Sequence, residues 1–303
     1  GVRLHYRKWE AADLEGADPR DPNPAPAEPR GVLVYLHGLQ SHSGWFGETC
    51  ARLAEEGFEV YALDRRGSGE SGGPRGHVAR VSDVVRDHRL FLAWLRGERP
   101  GARITLLAHS WGGMLGVLLA GYARSRPMVH GLVLIAPALA GRRRMMSLWG
   151  ALRLLVWSVL RPTRMLPVPW DERTALTKDP ERAEWIAKDP LHLTEVSMRF
   201  WWETAKLAAY MRMTAANIER PVYCALGGDD ALVDNARVIE VLRRMKSPEN
   251  KVRIFDGAAH TLEFERAAPD VRAEILCFLD ETLYPESHPR RRCVAPGPDE
   301  PRA

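Results

Sequence analysis

The chain has 303 residues, of which 45% are hydrophobic and 27% are charged, and its net charge at pH 7 is +4. These values are ordinary for a soluble protein and predict a large core, in one large domain or one domain with a substantial insertion. The basic excess lies in the runs "GRRRM" (141–145) and "PRRRC" (289–293), which hold six arginines. Since no recognised binding motif accompanies these runs, they predict solvated surface and no nucleic-acid partner.

The cysteines and the most apolar run limit the class of protein further. The four cysteines are far apart, at Cys50, Cys224, Cys277 and Cys293. Their spacing matches neither a zinc site nor a disulfide framework, so we expect reduced thiols, no metal, no cofactor and a cytoplasmic setting for the residues given. Residues 145–160 are too few to span a membrane and include Arg153.

In chain order, an alternating edge strand and a proline-rich loop (17–30) precede a regular succession of strands and helices. The predicted strands are 2–9, 31–36, 58–63, 104–108, 131–136, 222–226 and 252–255, and the predicted helices are 44–56, 82–96, 111–123, 236–245 and 267–283. Short apolar β-branched runs such as "GVLVYL" are typical of strands buried on both faces. The alternation therefore predicts an α/β fold with a mostly parallel sheet between two layers of helices.

Residues 141–215 interrupt this succession. They contain no clear strand, many tryptophans and methionines, and several prolines, which predicts a helical cap inserted into the fold. Residues 1–140 and 216–284 would then form the core. The polar, proline-rich residues 285–303 predict a disordered tail.

Two serines match a hydrolase signature, and their context separates them. Ser71 lies in "GESGG" and is followed by so many glycines that no stable helix can start there. The dinucleotide fingerprint that the same segment spells fails for the same reason, so we predict a loop. Ser110, in "AHSWG", lies between an apolar strand and an apolar helix, the turn that exposes a nucleophilic serine. A strand-to-helix cap with no catalytic role is the alternative for Ser110.

A serine nucleophile needs a base and an acid that orients the base. In this architecture they follow the serine in the order acid, then histidine, each after a strand. The predicted strand 252–255 leads to His260, and the strand 222–226 leads to Asp230, with Asp229 as the rival acid. The oxyanion would bind the backbone N–H groups of Trp111 and of Leu39, in the loop after the strand 31–36.

The segments that carry these residues resemble the α/β-hydrolase superfamily, and within it the monoacylglycerol lipase and lysophospholipase-like group. The matching segments are "LHGLQSHSG", "LDRRGSGESGGPRGHV", "LLAHSWGG", "GGDDALVD" and "AAHTLEFE". The resemblance covers about 31–140 and 216–282 and, more loosely, the cap. It implies Ser110, Asp230 and His260 as the triad and Leu39 with Trp111 as the oxyanion hole. Ala108, where relatives have glycine, and Gln40-Ser41 depart from the pattern and concern the shape of the pocket.

The resemblance implies a serine hydrolase that cleaves monoacylglycerols, lysophospholipids or similar acyl esters through an acyl-enzyme. The alternatives on this scaffold are a thioesterase, an acyltransferase, a peptidase, a cofactor-free perhydrolase and, least of all, a non-catalytic binding protein. The expected acyl pocket would be lined by residues next to the serine or in the cap, namely His109, Trp149, Trp157, Met198 and Trp201. Packing of the cap on the core is the alternative role for these residues. We also expect transient contact with lipid surfaces through residues 145–160.

Overall fold

The computed structural model describes residues 1–12, 28–141 and 148–286, except the side chains of 148, 149, 151–154, 172 and 173. Most of the predicted proline-rich loop, part of the predicted cap and nearly all of the predicted tail lie outside these residues. The strands in chain order are β1 (Tyr6–Trp9), β2 (Val32–Leu36), β3 (Glu59–Leu63), β4 (Ile104–His109), β5 (Gly131–Ile135), β6 (Met165–Pro167), β7 (Glu195–Ser197), β8 (Val222–Gly227) and β9 (Asn250–Phe255). The α-helices are α1 (Gly47–Glu55), α2 (Val81–Glu98), α3 (Trp111–Gly121), α4 (Leu148–Leu160), α5 (Glu172–Ala175), α6 (Pro180–Lys188), α7 (Met198–Thr214), α8 (Asn235–Leu242) and α9 (Ala268–Phe278).

Seven strands form one sheet in the order β1-β3-β2-β4-β5-β8-β9. The edge strand β1 runs antiparallel to β3, and every other neighbouring pair is parallel. The predicted mostly parallel α/β sheet is therefore confirmed. Because all these parallel strands end at one edge, the loops that follow β2, β4, β8 and β9 meet there.

Alternate side chains of the central strands belong to two separate cores. On β2, Val32, Val34 and Leu36 pack with residues of α2, α3 and α8. Leu33 and Tyr35 point to the opposite face and pack with residues of α1 and α9. Every residue of β2 through β5 is buried, as a strand covered by helices on both faces requires.

The segment between β5 and β8 differs from its prediction in one respect. It is mainly helical, but Met165–Pro167 and Glu195–Ser197 pair as a small antiparallel ladder. Three-residue strands about 30 positions apart give no periodic signal, which is why the expectation of no strand there was wrong. We refer to residues 141–215 as the insertion, and its standing as a separate cap domain remains a prediction.

The insertion is bound to the rest of the fold by main-chain hydrogen bonds at separate places. Ser197 N–H donates to the carbonyl of Gly76 at 2.9 Å, and Leu193 N–H donates to that of Gln40 at 3.0 Å. Gly76 has φ +65°, and a Cβ there would lie 2.7 Å from the carbonyl oxygen of Glu195. This close approach requires glycine and explains its place in the "PRGHV" segment.

The thiols only partly match the prediction. Cys50 and Cys224 are free and buried. Cys277 is disulfide-bonded, and its partner lies outside the described residues, so the expectation of reduced thiols was wrong for this position. Spacing along the chain does not show which distant cysteines meet in space. Within the described residues, no helix is long and apolar enough to cross a bilayer.

Candidate active site

Ser110 lies at the sharp turn between β4 and α3, at the carboxyl edge of the sheet. Its backbone has φ 51° and ψ −116°, a conformation that non-glycine residues adopt only where the surrounding structure imposes it. The turn is fixed by the bond from Ser110 N–H to the carbonyl of Ile135, and the Ser110 carbonyl accepts from Ala138 N–H, at 3.0 and 2.9 Å. The side chain is thereby presented toward the cavity described below.

Small residues around Ser110 make room for this turn. A Cβ at Gly112 would lie 2.2 Å from the carbonyl oxygen of Leu36. Ala108 occupies the position of the first glycine in the G-x-S-x-G signature, and a Cβ at Gly116 would lie 2.9 Å from its methyl group. Because Gly116 has no side chain, α3 can pack closely on β4 in spite of the extra methyl group of Ala108.

The loops after β8 and β9 bring an acid and a base to this serine. His260 Nε2 lies 2.7 Å from Ser110 Oγ, and His260 Nδ1 lies 2.7 Å from Asp230 Oδ2. Since a carboxylate only accepts hydrogen bonds, Nδ1 carries the proton and Nε2 can accept the serine hydroxyl. The three side chains form a continuous hydrogen-bonded chain with the order and geometry of a Ser-His-Asp triad.

Asp230 is held as an anion. Burial by itself raises its pKa, but the charge and hydrogen bond of His260 and two backbone N–H donors lower it, and the net shift is downward. The donors are Leu232 N–H at 2.7 Å and Val233 N–H at 3.0 Å, both to Oδ1. Its rival Asp229 is exposed and forms an ion pair with Lys178 at 2.5 Å. The structure brings Asp230 to His260 and leaves Asp229 at the surface.

The two residues predicted to supply the oxyanion donors lie at the same cavity as Ser110. Leu39 and Trp111 both line it, and neither backbone N–H has an acceptor among the described residues. Trp111 is the first residue of α3, where an N–H has no partner within the helix.

The two histidines of the loop after β2 form structural contacts within the loop and with neighbouring segments. His37 Nδ1 donates to the Gly38 carbonyl at 2.9 Å, and His37 Nε2 accepts from Arg65 N–H at 3.1 Å. His42 pairs with Asp189 of the insertion at 2.8 Å.

A cavity of about 220 Å³ opens in front of Ser110. The described residues that line it are mostly apolar and come from both the core and the insertion. They include Leu39, Trp45, Trp111, Met114, Leu139, Trp170, Leu176, Trp201, Thr204, Ala208, Arg212, Leu232 and Val233. The face of α7 formed by positions 201, 204, 208 and 212 is one wall.

The predicted pocket residues fall into three groups. His109 and Trp201 line the cavity, whereas Trp157 and Met198 are not among its described lining residues. The Arg161 guanidinium lies over the Trp157 ring, at 5.8 Å, and Met198 is buried at the first turn of α7. The side chain of Trp149 lies outside the described residues.

His109 is a buried neutral group beside the candidate base. Burial, together with the neighbouring His260, lowers the pKa of His109 to about 3. The two rings lie 5.2 Å apart, and His109 also packs against Phe46. A histidine that stays neutral at physiological pH adds no second positive charge next to His260 when that residue takes a proton.

Residues of the "DRRGSGES" segment (64–71) stabilise the loop that carries Leu39. Asp64 is buried and accepts from Ser43 N–H at 2.7 Å and from Glu70 N–H at 3.0 Å. Ser71 Oγ donates to the Asp64 carbonyl at 2.6 Å, so Ser71 stabilises a loop as predicted from the glycines around it. Arg65, which follows Asp64 in the chain, is buried and contacts the carbonyls of Gly38 and Leu39. Sequence reasoning missed this role.

Gln40, another residue whose role was missed, connects the same loop to the insertion. Its side chain accepts from Trp170 Nε1 at 2.6 Å and donates to the Leu193 carbonyl at 3.1 Å. No local pattern could have shown these partners, which are more than 100 positions away.

The spacing of positions 201, 204, 208 and 212 along one helix face was the signal in the sequence that could have identified the cavity wall.

The chain is similar to one family model and to known lipases over most of its length. Residues 27–267 match the model of the family described as serine aminopeptidase, S33. The monoacylglycerol lipase of Mycolicibacterium smegmatis is 29% identical over 261 residues, which are 86% of this chain and 86% of that protein. The monoglyceride lipase of Homo sapiens is 26% identical over 240 residues, 78% of this chain and 77% of that protein.

A solved structure supports the same fold. The crystal structure of the monoacylglycerol lipase of Paleococcus ferrophilus aligns with a TM-score of 0.77 and 24% identity, over 91% of this chain and 98% of that one. From the family match, the sheet topology and these relatives, the chain belongs to the S33 serine aminopeptidase family of α/β hydrolases and is an enzyme of its esterase- and lipase-like kind.

Proposed function

We propose that this enzyme hydrolyses carboxylic esters of apolar acyl chains, such as monoacylglycerols or lysophospholipids, at Ser110. The observation that carries the proposal is the hydrogen-bonded chain Ser110–His260–Asp230, with 2.7 Å between each pair, opening on a mostly apolar cavity. The relatives named monoacylglycerol lipase and monoglyceride lipase support the substrate class.

The proposed mechanism is a two-step acyl transfer. His260 Nε2 takes the proton of Ser110 Oγ as that oxygen attacks the ester carbonyl, and Asp230 stabilises the resulting imidazolium. The N–H groups of Leu39 and Trp111 bind the oxyanion, each contributing about 3 kcal/mol to transition-state stabilisation. His260 then protonates the departing alcohol, and water hydrolyses the acyl-enzyme by the same route.

The cavity lining favours esters over the peptides that the family description names. An aminopeptidase must bind the ammonium group at the start of its substrate, which calls for a carboxylate within reach. Among the described lining residues none is Asp or Glu, and the permanently charged one is the cation Arg212. Apolar walls of leucine, methionine and tryptophan suit an acyl chain, which supports the insertion as the cap that holds it.

Exposed apolar side chains of the insertion support transient contact with a lipid surface. Val159 and Leu160 of α4 are 62% and 66% exposed, and Met213 of α7 is 75% exposed. An exposed apolar group of this kind can enter the boundary layer of a micelle or bilayer. Sedimentation with liposomes would detect such contact.

The test of the proposed function is the initial rate of hydrolysis across p-nitrophenyl esters and monoacylglycerols of increasing chain length, with Ser110→Ala as the blank. We expect the variant to lose about 10⁶-fold in kcat, because the nucleophile is removed. Thioesters and aminoacyl amides in the same panel test the alternatives. A rate that survives in Ser110→Ala, or a preference for aminoacyl amides, contradicts the proposal.

A further inference from the structure

Arg65 is a buried cation in contact with both residues of the proposed oxyanion hole. The residue is 2% exposed. Its Nη1 donates to the Gly38 carbonyl at 2.6 Å, and its Nη2 donates to the Leu39 carbonyl. On the other side, its guanidinium carbon lies 4.9 Å from the centre of the Trp111 ring, within cation–π range.

These contacts determine the direction of the Leu39 N–H. In a planar trans peptide, the C=O of one residue and the N–H of the next point in opposite directions. Because the Gly38 carbonyl points at Arg65, the Leu39 N–H points away from Arg65. This N–H has no acceptor among the described residues, and Leu39 lines the cavity in front of Ser110.

The same guanidinium contacts the beginning of α3 and the insertion. Its guanidinium carbon lies 5.3 Å from the centre of the Phe200 ring in α7, in addition to its contact with the Trp111 ring. Trp111 supplies the second proposed donor through its backbone N–H. One side chain thus contacts the loop that carries one donor, the residue that carries the other, and the helix that forms one wall of the cavity.

The positive charge of Arg65 is stabilised mainly by these carbonyl and aromatic partners. Among the described residues, no carboxylate lies within ion-pair distance of it. The neighbouring Asp64 carboxylate instead accepts from Ser43 and Glu70 N–H groups. Burial lowers the pKa of the Arg65 guanidinium to about 9, which still leaves it protonated at neutral pH. A buried cation held by carbonyl oxygens favours negative charge developing nearby.

We propose that Arg65 is a positioning residue for the oxyanion hole, aiming the Leu39 N–H through the Gly38 carbonyl and holding Trp111 at the start of α3. The inference rests on the proposed esterase function. Arg65 touches no reacting atom, so its effect on the rate acts through Leu39 and Trp111. Loss of Arg65 should weaken transition-state binding more than ground-state binding.

The experiment compares Arg65→Met and Arg65→Lys with Arg66→Met in ester hydrolysis. We expect Arg65→Met to lower kcat by ~10- to 100-fold while KM changes less than ~3-fold, below the loss expected for deleting a donor outright. Arg65→Lys keeps the charge but has no planar fork to bridge two carbonyls, so its rate should lie in between. Arg66 pairs with Asp87 on the outer side of the segment and is the matched control, with kcat expected within ~2-fold of wild type.

A second measurement separates positioning from a loss of folding. An alkylboronic acid forms a tetrahedral adduct with the serine, and its affinity should fall in Arg65→Met by the same factor as kcat/KM. Binding of the product fatty acid and the unfolding temperature serve as references. If Arg65→Met does not fold, Arg65→Lys takes the same measurements.

The outcomes are distinguishable from one another. Unchanged kcat in a folded Arg65 variant overturns the positioning role, as does a boronic acid affinity that does not follow kcat/KM. A wild-type enzyme with no Ser110-dependent ester hydrolysis overturns the proposed function itself.

Discussion

The loop after β8 contains two adjacent carboxylates with different surroundings. Asp230 is buried and bonded to His260, whereas Asp229 is exposed and paired with Lys178. Chain order and strand ends indicated that one of the two orients the histidine. Burial and hydrogen bonding, which the sequence alone does not show, distinguish them.

The pair provides a matched test of the acid. Asp230→Asn keeps the side-chain shape but removes the anion that holds the Nδ1 proton, so we expect kcat to fall by roughly 10³- to 10⁴-fold. Asp229→Asn removes a surface ion pair worth at most about 1 kcal/mol and should leave kcat within ~3-fold. The measurement is ester hydrolysis at saturating substrate. A large loss in Asp229→Asn with little in Asp230→Asn would reverse the assignment.

At the scale of single elements, α7 connects the insertion to the chemistry. Its residues Ala208 and Ala209 are neighbours in sequence, but only Ala208 lines the cavity, while Ala209 is exposed. One methyl group therefore faces the proposed acyl pocket, and the next faces solvent.

Enlarging these alanines tests what the α7 wall does. Ala208→Leu adds three carbon atoms to a cavity of about 220 Å³, so the preferred acyl chain should become shorter. Ala209→Leu adds the same atoms on the solvent side and should leave the preference unchanged. The measurement is kcat/KM for a series of p-nitrophenyl esters. Identical profiles for both variants would show that this face does not bind the acyl chain.

Elements with a regular period were predictable, and those fixed by distant partners were not. The buried strands β2 through β5 and the helix after Ser110 follow from apolar runs and spacing, and so does the loop around Ser71. The β6–β7 ladder, the Arg65 contacts and the Gln40–Trp170 bond depend on residues brought together only by the folded chain. The disulfide at Cys277 likewise depends on the folded chain, because the spacing of cysteines in the sequence does not show which of them lie close together.

At the scale of the whole molecule, one buried carboxyl couples stability to pH. Glu263 lies in the core on the α1 and α9 face of the sheet and accepts a hydrogen bond from Tyr35. Burial raises its pKa to about 7, although the Tyr35 hydrogen bond and Arg272 lower it. In the unfolded chain a glutamate has a pKa of about 4.3.

Between these two values the folded protein binds more protons than the unfolded chain, so stability falls as the pH rises from about 4 to about 7. The full difference in the free energy of unfolding is roughly 4 kcal/mol. Glu263→Gln cannot ionise and should lose this part of the pH dependence. The measurement is the urea unfolding midpoint from pH 5 to pH 8.

Glu55→Gln, at an exposed position of α1, is the control and should keep the wild-type slope. Equal slopes for wild type and Glu263→Gln would mean that Glu263 does not titrate in this range.

The attachment of the insertion has a consequence for building chimeras. Its residues Leu193 and Ser197 bond to the loops that contain Gln40 and Gly76, and its helix α7 packs beside Arg65. An insertion transplanted from another hydrolase would arrive without the partners that these loops require. Replacing residues 141–215 alone would therefore not transfer the substrate preference of the other hydrolase. Residues 37–43 and 64–77 would have to be transplanted together with it.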